Sequence, residues 1–394
     1  MNDTWWISHE QLSEEQKAVI SLPLGGSHLI VGPPGCGKTN LLLLRASYMA
    51  RAGQPNILVL VFTKTLREFI AGGGRHYAFP VSKVQTCRKW QHDLLHQYGV
   101  DVVISPNFEE QRNMLNTQIR KLIDGRGLGK LYDAILLDEA QDYLPEEIGI
   151  FRHLGKALFA VADSRQKIYK GQDVSAALNS AVDEVHSLRY HYRCGLSICR
   201  LADGLAKDSS TYEPLVPTSN YDEEARPSSV EHFRCADIHE QAQRIVRKLE
   251  VQLRAYPDEL LGVVSPRVEE LHTIWSHIQN STLGPSAVLE HSGQHMSFSE
   301  SARICVCTVH SIKGLEVRAL HISCCEFLNR FSLSRNMAFT AVTRAKTSLS
   351  LYYADDIHGF LEGALKALEP LPDLPEIEDL FTRERTNVDQ ERVT

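Results

Sequence analysis

The chain has 394 residues, 43% of them hydrophobic and 23% charged, and a formal net charge of −7. That balance suits a globular protein of about two to three domains and excludes a disordered, collagen-like or strongly basic, nucleic-acid-coating chain. An acidic total still allows a local basic groove.

Short apolar runs alternate with helical stretches along the first half. The run His28–Gly32 leads into Gly32-Pro33-Pro34-Gly35-Cys36-Gly37-Lys38-Thr39, followed by a Leu-rich helix. Such a loop curls backbone N–H groups around phosphates, its Lys reaches the outer phosphates, and its Thr hydroxyl can hold Mg²⁺. Further strands are expected at Ile57–Phe62, Lys83–Thr86, Ala134–Asp138 and Leu158–Ala162. The fourth of these five strands ends in Asp138-Glu139-Ala140-Gln141-Asp142, where one carboxylate can serve Mg²⁺ and the next can activate water. Loop and acidic motif together predict an enzyme that binds a nucleoside triphosphate with Mg²⁺ and hydrolyses it.

A second series of strands is expected at Glu184–Leu188, Val230–Phe233, Leu260–Ser265, Arg303–Thr308, Ala319–Ser323 and Ser348–Tyr353, with a long helix over Ile238–Tyr256. Strands alternating with helices imply βαβ units and parallel sheets. The expected fold is therefore α/β, with two tandem domains at 1–185 and 186–371, a short insertion about 90–130, and a charged tail at 372–394. The nine cysteines lack paired CxxC spacing and read as reduced, buried thiols. Asp3, Glu10, Glu14 and Glu15 do not fit a secretion signal, and no run approaches the ~18 apolar residues of a membrane span. A cytoplasmic protein with no membrane partner is expected.

More motifs surround these two. Leu12 to Gln16 precedes the loop, Val61 to Lys64 follows a strand, and Ala162 to Tyr169 follows the acidic motif. His191-Tyr192-Arg193, Thr308-Val309-His310-Ser311-Ile312-Lys313-Gly314-Leu315-Glu316 and Ala341-Val342-Thr343-Arg344-Ala345-Lys346 complete the set. In this order, from Leu12 to Tyr353, the chain resembles the UvrD/Rep-type superfamily 1 DNA helicases.

That resemblance implies two RecA-like P-loop domains with ATP in the cleft between them, and a role for each motif residue. Gln16 would read the adenine edge and Tyr192 would stack on its face. The loop residues Gly32, Pro33, Pro34, Gly35, Cys36 and Gly37 would wrap the phosphates, with Lys38 and Thr39 serving phosphate and Mg²⁺. Asp138 would stand on the metal side, Glu139 would be the hydrolytic base, and Gln166 would sense the γ-phosphate. Arg193 and Arg344 would act as arginine fingers, Glu316 would lie near the ribose, and Gly314 counts with the ATP-binding set. Phe62, Thr63, Thr86, Thr308 and His310 would line a single-strand path, since aromatic rings and hydroxyls suit a sequence-tolerant track.

The chain also departs from the family's pattern. Asn40, counted with the ATP-binding set, stands where relatives often place an Arg. Gly171 lies near the position of a DNA-stacking Trp, and Met337-Ala338-Phe339-Thr340 replaces the usual approach to the last arginine. The short spacings Trp90–Asp133 and Arg193–Arg303 leave little room for the large insertions of relatives, so a compact motor is expected.

The leading expectation is an ATP-dependent helicase or translocase moving 3′→5′ on single-stranded or tailed duplex DNA. Its alternative is an ATP-switched regulatory or DNA-binding subunit of a nuclease-containing complex in DNA repair or antiviral defence.

Overall fold

The computed structural model describes residues 9–72, 78–163, 174–206, 212–291, 294–295, 302–330, 334–357 and 359–368. The tail and the Gly171 position lie outside them. The first sheet holds six strands: β1 (His28–Val31), β2 (Ile57–Val61), β3 (Val84–Thr86), β4 (Tyr132–Leu137), β5 (Gly155–Ala162) and β6 (Glu184–Ser187). Their order is β3-β2-β4-β5-β1-β6, and every pairing is parallel. Strand β2 is buried along its whole Ile-Leu-Val-Leu-Val run, the pattern of a sheet covered on both faces.

Helices α1 (Glu14–Ile20), α2 (Lys38–Arg51), α3 (Lys64–Gly72), α4 (Cys87–Gln97), α5 (Phe108–Arg126), α6 (Pro145–Leu154) and α7 (Ser175–Ala181) belong to this half. The region expected as an insertion proves to be part of the core. Trp90 and Leu94 of α4 and Ile119 and Leu122 of α5 pack in one cluster with Leu58, Leu60 and Ile135 of the sheet. The residues between β3 and β4 thus form the crossover that a parallel pair requires, and they cover one sheet face.

Strand β6 corrects a second expectation. The run beginning at Glu184 was assigned to the second series, yet β6 pairs with β1, with His28 opposite Glu184. Periodicity identifies a strand but not the sheet that it joins. Strand β6 also straddles the division expected between residues 185 and 186.

The second sheet contains β7 (Ser229–Arg234), β8 (Leu261–Ser265), β9 (Ala287–His291), β10 (Gln294–His295), β11 (Ile304–Thr308), β12 (Val317–Ile322) and β13 (Ala345–Tyr353). Its order is β10-β9-β11-β8-β12-β13-β7, parallel except for the β9–β10 pair. Helices α8 (Leu196–Ala206), α9 (Ile238–Ala255), α10 (Val268–Gln279), α11 (Ser334–Val342) and α12 (Phe360–Lys366) accompany it. The described residues between 235 and 303 build this domain's own strands and cover, and among the described residues neither sheet carries a projecting helical subdomain. The architecture is two tandem RecA-like α/β domains. One apolar cluster runs through both, taking Ile30, Leu66 and Leu188 from the first half and Val264, Ile312 and Leu315 from the second.

Candidate nucleotide site and strand cavity

The phosphate loop joins β1 to α2. Gly35 and Gly37 hold φ of 82° and 86°, values that favour glycine. Gly37 caps α2 without any side-chain hydrogen bond. The first N–H groups of a 14-residue helix are therefore left for an external acceptor, and the helix dipole favours an anion there. The Lys38 ammonium donates to the Gly32 and Pro33 carbonyls at 2.7 and 2.8 Å, and lies 3.9 Å from Asp163.

The Thr39 hydroxyl donates to both Asp138 carboxylate oxygens, at 3.1 and 3.2 Å. Hydroxyl and carboxylate oxygens are the hard donors that Mg²⁺ takes, so this pair fits that ion. Burial pushes the Asp138 carboxyl up to about 7, with the adjacent Glu139 charge adding to it. Glu139 occupies left-handed backbone at φ 49°, an unusual conformation for this residue and a marker of functional positions. Burial alone would raise its carboxyl, but Lys313, Arg344 and Lys38 outweigh that and hold it down at about 2. The Gln141 amide donates to Glu139 at 2.5 Å and accepts from the Asp163 N–H at 3.0 Å.

From the second domain, the fully buried Lys313 ammonium pairs with Asp142 and lies 3.4 Å from Glu139. Burial lifts the Asp142 carboxyl to about 6 against the pull of Lys313. Arg193 presses on the loop: a Cβ on Gly35 would stand 2.6 Å from the Arg193 Cβ. The Arg193 guanidinium pairs with Glu316 and donates to the Thr343 carbonyl at 3.1 Å. Its Nε is buried without a hydrogen-bond partner among the described residues, a donor that suits an anion. Arg344 is buried, with Nε donating to the Thr340 carbonyl at 3.1 Å. Burial would raise the Glu316 carboxyl, but Arg193 and Lys346 overcome it and hold it at about 2.

Gln16, expected to read adenine, is buried with its amide donating to the Cys36 carbonyl at 3.0 Å and accepting from the Ser13 N–H. That capping box seats α1 on the loop. Tyr192 is partly exposed, and its N–H donates to the Gly35 carbonyl at 3.1 Å. Asn40 is buried in the first turn of α2. Gly314 adopts φ 87° and a Cβ there would meet Leu66 at 2.6 Å, so glycine permits the two domains to touch. Gln166 lies outside the described residues.

A cavity of about 520 Å³ opens between the domains. Phe62, Thr63, Thr86, Thr308 and His310 all line it, joined by Phe108. Phe62 is half-buried and meets Tyr143 edge-on at 5.9 Å. The Thr63 hydroxyl donates to the Lys313 carbonyl at 3.1 Å, tying this wall to the nucleotide side.

Residues 303–352, which span β11 to β13 and hold Lys313, Glu316 and Arg344, match the family described as the UvrD-like helicase C-terminal domain. The resemblance drawn from the motifs is borne out over that segment. No curated protein sequence matches the chain. Solved structures resemble it distantly. The nonstructural protein 10 helicase of an arterivirus aligns at TM-score 0.39 and 16% identity, over 89% of this chain and 63% of that one. The PRRSV helicase gives 0.37 and 13%, covering 86% and 54%. The C-terminal domain of a possible DNA helicase from Lactobacillus strain WCFS1 gives 0.32 and 15%, covering 45% and 96%. The chain thus spans less than two thirds of either viral helicase.

Three side chains central to this site were not singled out from the sequence: Gln141, Asp142 and Lys313. Each stood inside a quoted motif. The available signal was a charged or polar residue placed among apolar neighbours, Lys313 following Ile312 and Asp142 preceding Tyr143.

Proposed function

We propose that the chain is an ATP-driven helicase or translocase of the UvrD/Rep type that moves on single-stranded DNA with 3′→5′ polarity. One observation carries the reading. The nine residues 308–316 contribute Thr308, His310 and Ser311 to the strand cavity, and Lys313, Gly314 and Glu316 to the nucleotide side. Domain division after Ser187 fits this reading, with the second domain beginning at the segment that carries Arg193.

The nucleotide would seat on the loop and the open N-terminus of α2, with Mg²⁺ held by Thr39 and Asp138. That ion, when bound, supplies charge neutralisation at the outer phosphates. Lys38 would exchange its loop carbonyls for phosphate oxygens. Glu139 is ionised and would orient the attacking water, but Lys313 and Arg344 lower its basicity. Strand entry into the cavity would shift residues 308–316, move Lys313 away from Glu139 while it keeps its pairing with Asp142, and let Glu139 regain proton affinity. The two arginines converge from the second domain, so closure and hydrolysis become one variable.

The deciding assay measures ATPase activity with and without single-stranded DNA, beside strand displacement on a 3′-tailed duplex. Strong stimulation with unwinding by the lone chain is expected. Nucleotide binding with no DNA-stimulated turnover would sink the motor and favour the switched-subunit alternative.

A further inference from the structure

At the end of β1 opposite the phosphate loop, three side chains with metal-ligating atoms converge. His28 on β1 stands opposite Glu184 on β6, and Ile30 stands opposite His186. Alternate residues share a strand face, so parallel pairing puts His28, Glu184 and His186 on one side of the sheet. Among the described residues this is the one group of three His, Cys, Asp or Glu side chains close enough to share an ion. We propose that His28, Glu184 and His186 bind a divalent transition metal, zinc above all, that clips edge strand β6 to β1.

The size of the triangle supports this. His28 Nδ1 lies 3.3 Å from His186 Nε2, His186 Nε2 lies 3.4 Å from Glu184 Oε2, and His28 Nδ1 lies 3.7 Å from the same oxygen. Two ligands held about 2.0–2.1 Å from a tetrahedral ion stand about 3.3–3.4 Å apart. The three ligand atoms already have nearly that spacing, so an ion would enter with little rearrangement.

The surroundings of His28 orient it for ligation. Its Nε2 lies 3.2 Å from the Pro23 carbonyl, which can only accept, so Nε2 carries the proton and Nδ1 presents its lone pair to the triangle. Arg45 fixes that carbonyl by donating to it at 2.7 Å, and also donates to the Ile20 and Leu22 carbonyls at 2.9 and 2.5 Å. His28 is buried, His186 half-buried and Glu184 exposed, which leaves a solvent-facing position for a water as fourth ligand. Two imidazoles and one carboxylate suit Zn²⁺, Co²⁺, Ni²⁺ or Cu²⁺, and are a poor set for Mg²⁺. This donor set therefore differs in kind from the Thr39–Asp138 pair.

The clip has a structural consequence. After β6 the chain runs on through Leu188 to Tyr192 and Arg193, the segment pressed against Gly35. Without an ion, the same geometry is a His186 N–H shared between His28 Nδ1 and the Glu184 carboxylate, so metal binding itself discriminates.

The test is a Co²⁺ titration of the tag-free full chain, followed by visible absorption, with Zn²⁺ as competitor and thermal melts run alongside. The expected result is one Co²⁺ per chain with tetrahedral absorption, displaced by Zn²⁺, and a Tm raised by roughly 3 °C or more in Zn²⁺. His186→Ala should weaken Co²⁺ binding roughly 100-fold and abolish the Tm rise, and Glu184→Gln should weaken it about tenfold. Both residues face solvent at an edge strand, and the exposed Glu184 gives a readout even if the His186 variant is unstable. Asp138→Asn should keep the Co²⁺ site, assigning it away from the nucleotide pocket. Absence of saturable binding in the parent chain overturns the proposal, as does unchanged affinity in both β6 variants.

Discussion

The two faces of the segment 308–316 are built from opposite chemistry. On the nucleotide side, Lys313, Glu139 and Asp142 form a buried ionic cluster, with Arg193 paired to Glu316 beside it. On the cavity side, the rings of Phe62 and Phe108 stand among the hydroxyls of Thr63, Thr65, Thr86, Thr308 and Ser311, with Lys64 and Arg88 on the same lining and Arg112 already committed to Glu147. The first face is suited to a compact polyanion whose charge changes on hydrolysis. The second is suited to a chain that slides, because stacking and hydroxyl contacts tolerate any base. Strong, directional binding on one side and weak, repeatable binding on the other is what a translocating motor requires.

The largest test of that contrast removes the charge chemistry alone. Glu139→Gln should lower DNA-stimulated ATP turnover roughly 10²–10⁴-fold while nucleotide binding survives. Arg344→Ala should cost on the order of 10³-fold if its guanidinium reaches the transferred phosphate. Wild-type turnover in the first variant, or a loss below about tenfold in the second, would remove the assigned role. Fluorescent-nucleotide titration beside single-turnover hydrolysis separates binding from chemistry.

Lys313 offers the next largest effect, because its loss strands two buried carboxylates. Lys313→Met should destabilise the chain by about 3–5 kcal/mol in chemical denaturation. Adding Asp142→Asn removes one stranded charge, so the double variant should recover part of that loss and give a coupling energy of about 1 kcal/mol or more. Strict additivity would show that the pair in the structure does not act as one.

Much of the nucleotide side was legible because its motifs are local. The loop 32–39 and the pair Asp138-Glu139 each carry their chemistry within a few residues, and β1 and β4 present them where such motifs must sit. The Lys313–Asp142 pair was not legible, since its members are 171 positions apart and only the packing of two domains brings them together. The placement of β6 failed for a related reason: alternation marks an extended segment, while sheet membership is decided by what it packs on. Strands β9 and β10 escaped notice because their stretch, with Glu290, His291 and Gln294, reads as polar. The residues between Trp90 and Asp133 were read as an insertion, but α5 carries an apolar stripe that closes the sheet, including Leu115, Ile119 and Leu122.

Acid pH probes the ionic face without mutation. Glu316 is held below its ordinary 4.5 at about 2. A depressed carboxyl contributes stability above 4.5 that is lost as pH falls toward 2. Glu316→Gln should therefore be less stable than the parent at pH 7 by about 2–3 kcal/mol, with the gap closing progressively below pH 4.5. A gap that stays constant down to about pH 3 would mean that Arg193 and Lys346 do not set this carboxyl.

The smallest effects belong to the cavity, and they decide whether its walls hold a strand by stacking or by charge. Phe62→Ala should weaken single-stranded DNA binding by about 1–3 kcal/mol while basal ATPase and Tm stay near parent values. Phe62 is half-buried against Tyr143, so a core role predicts the opposite pattern, with Tm and both activities falling together. Salt dependence supplies the complementary measurement. If the strand is held chiefly by rings and hydroxyls, only about two to four phosphates are neutralised, and log K should fall with log salt at a slope of about −1.4 to −2.8. A much steeper slope, unchanged in Phe62→Ala, would move the binding energy from the cavity to surface cations. A shallow slope retained in a variant that binds more weakly is the signature expected of stacking, since removing a ring subtracts affinity without releasing fewer counterions.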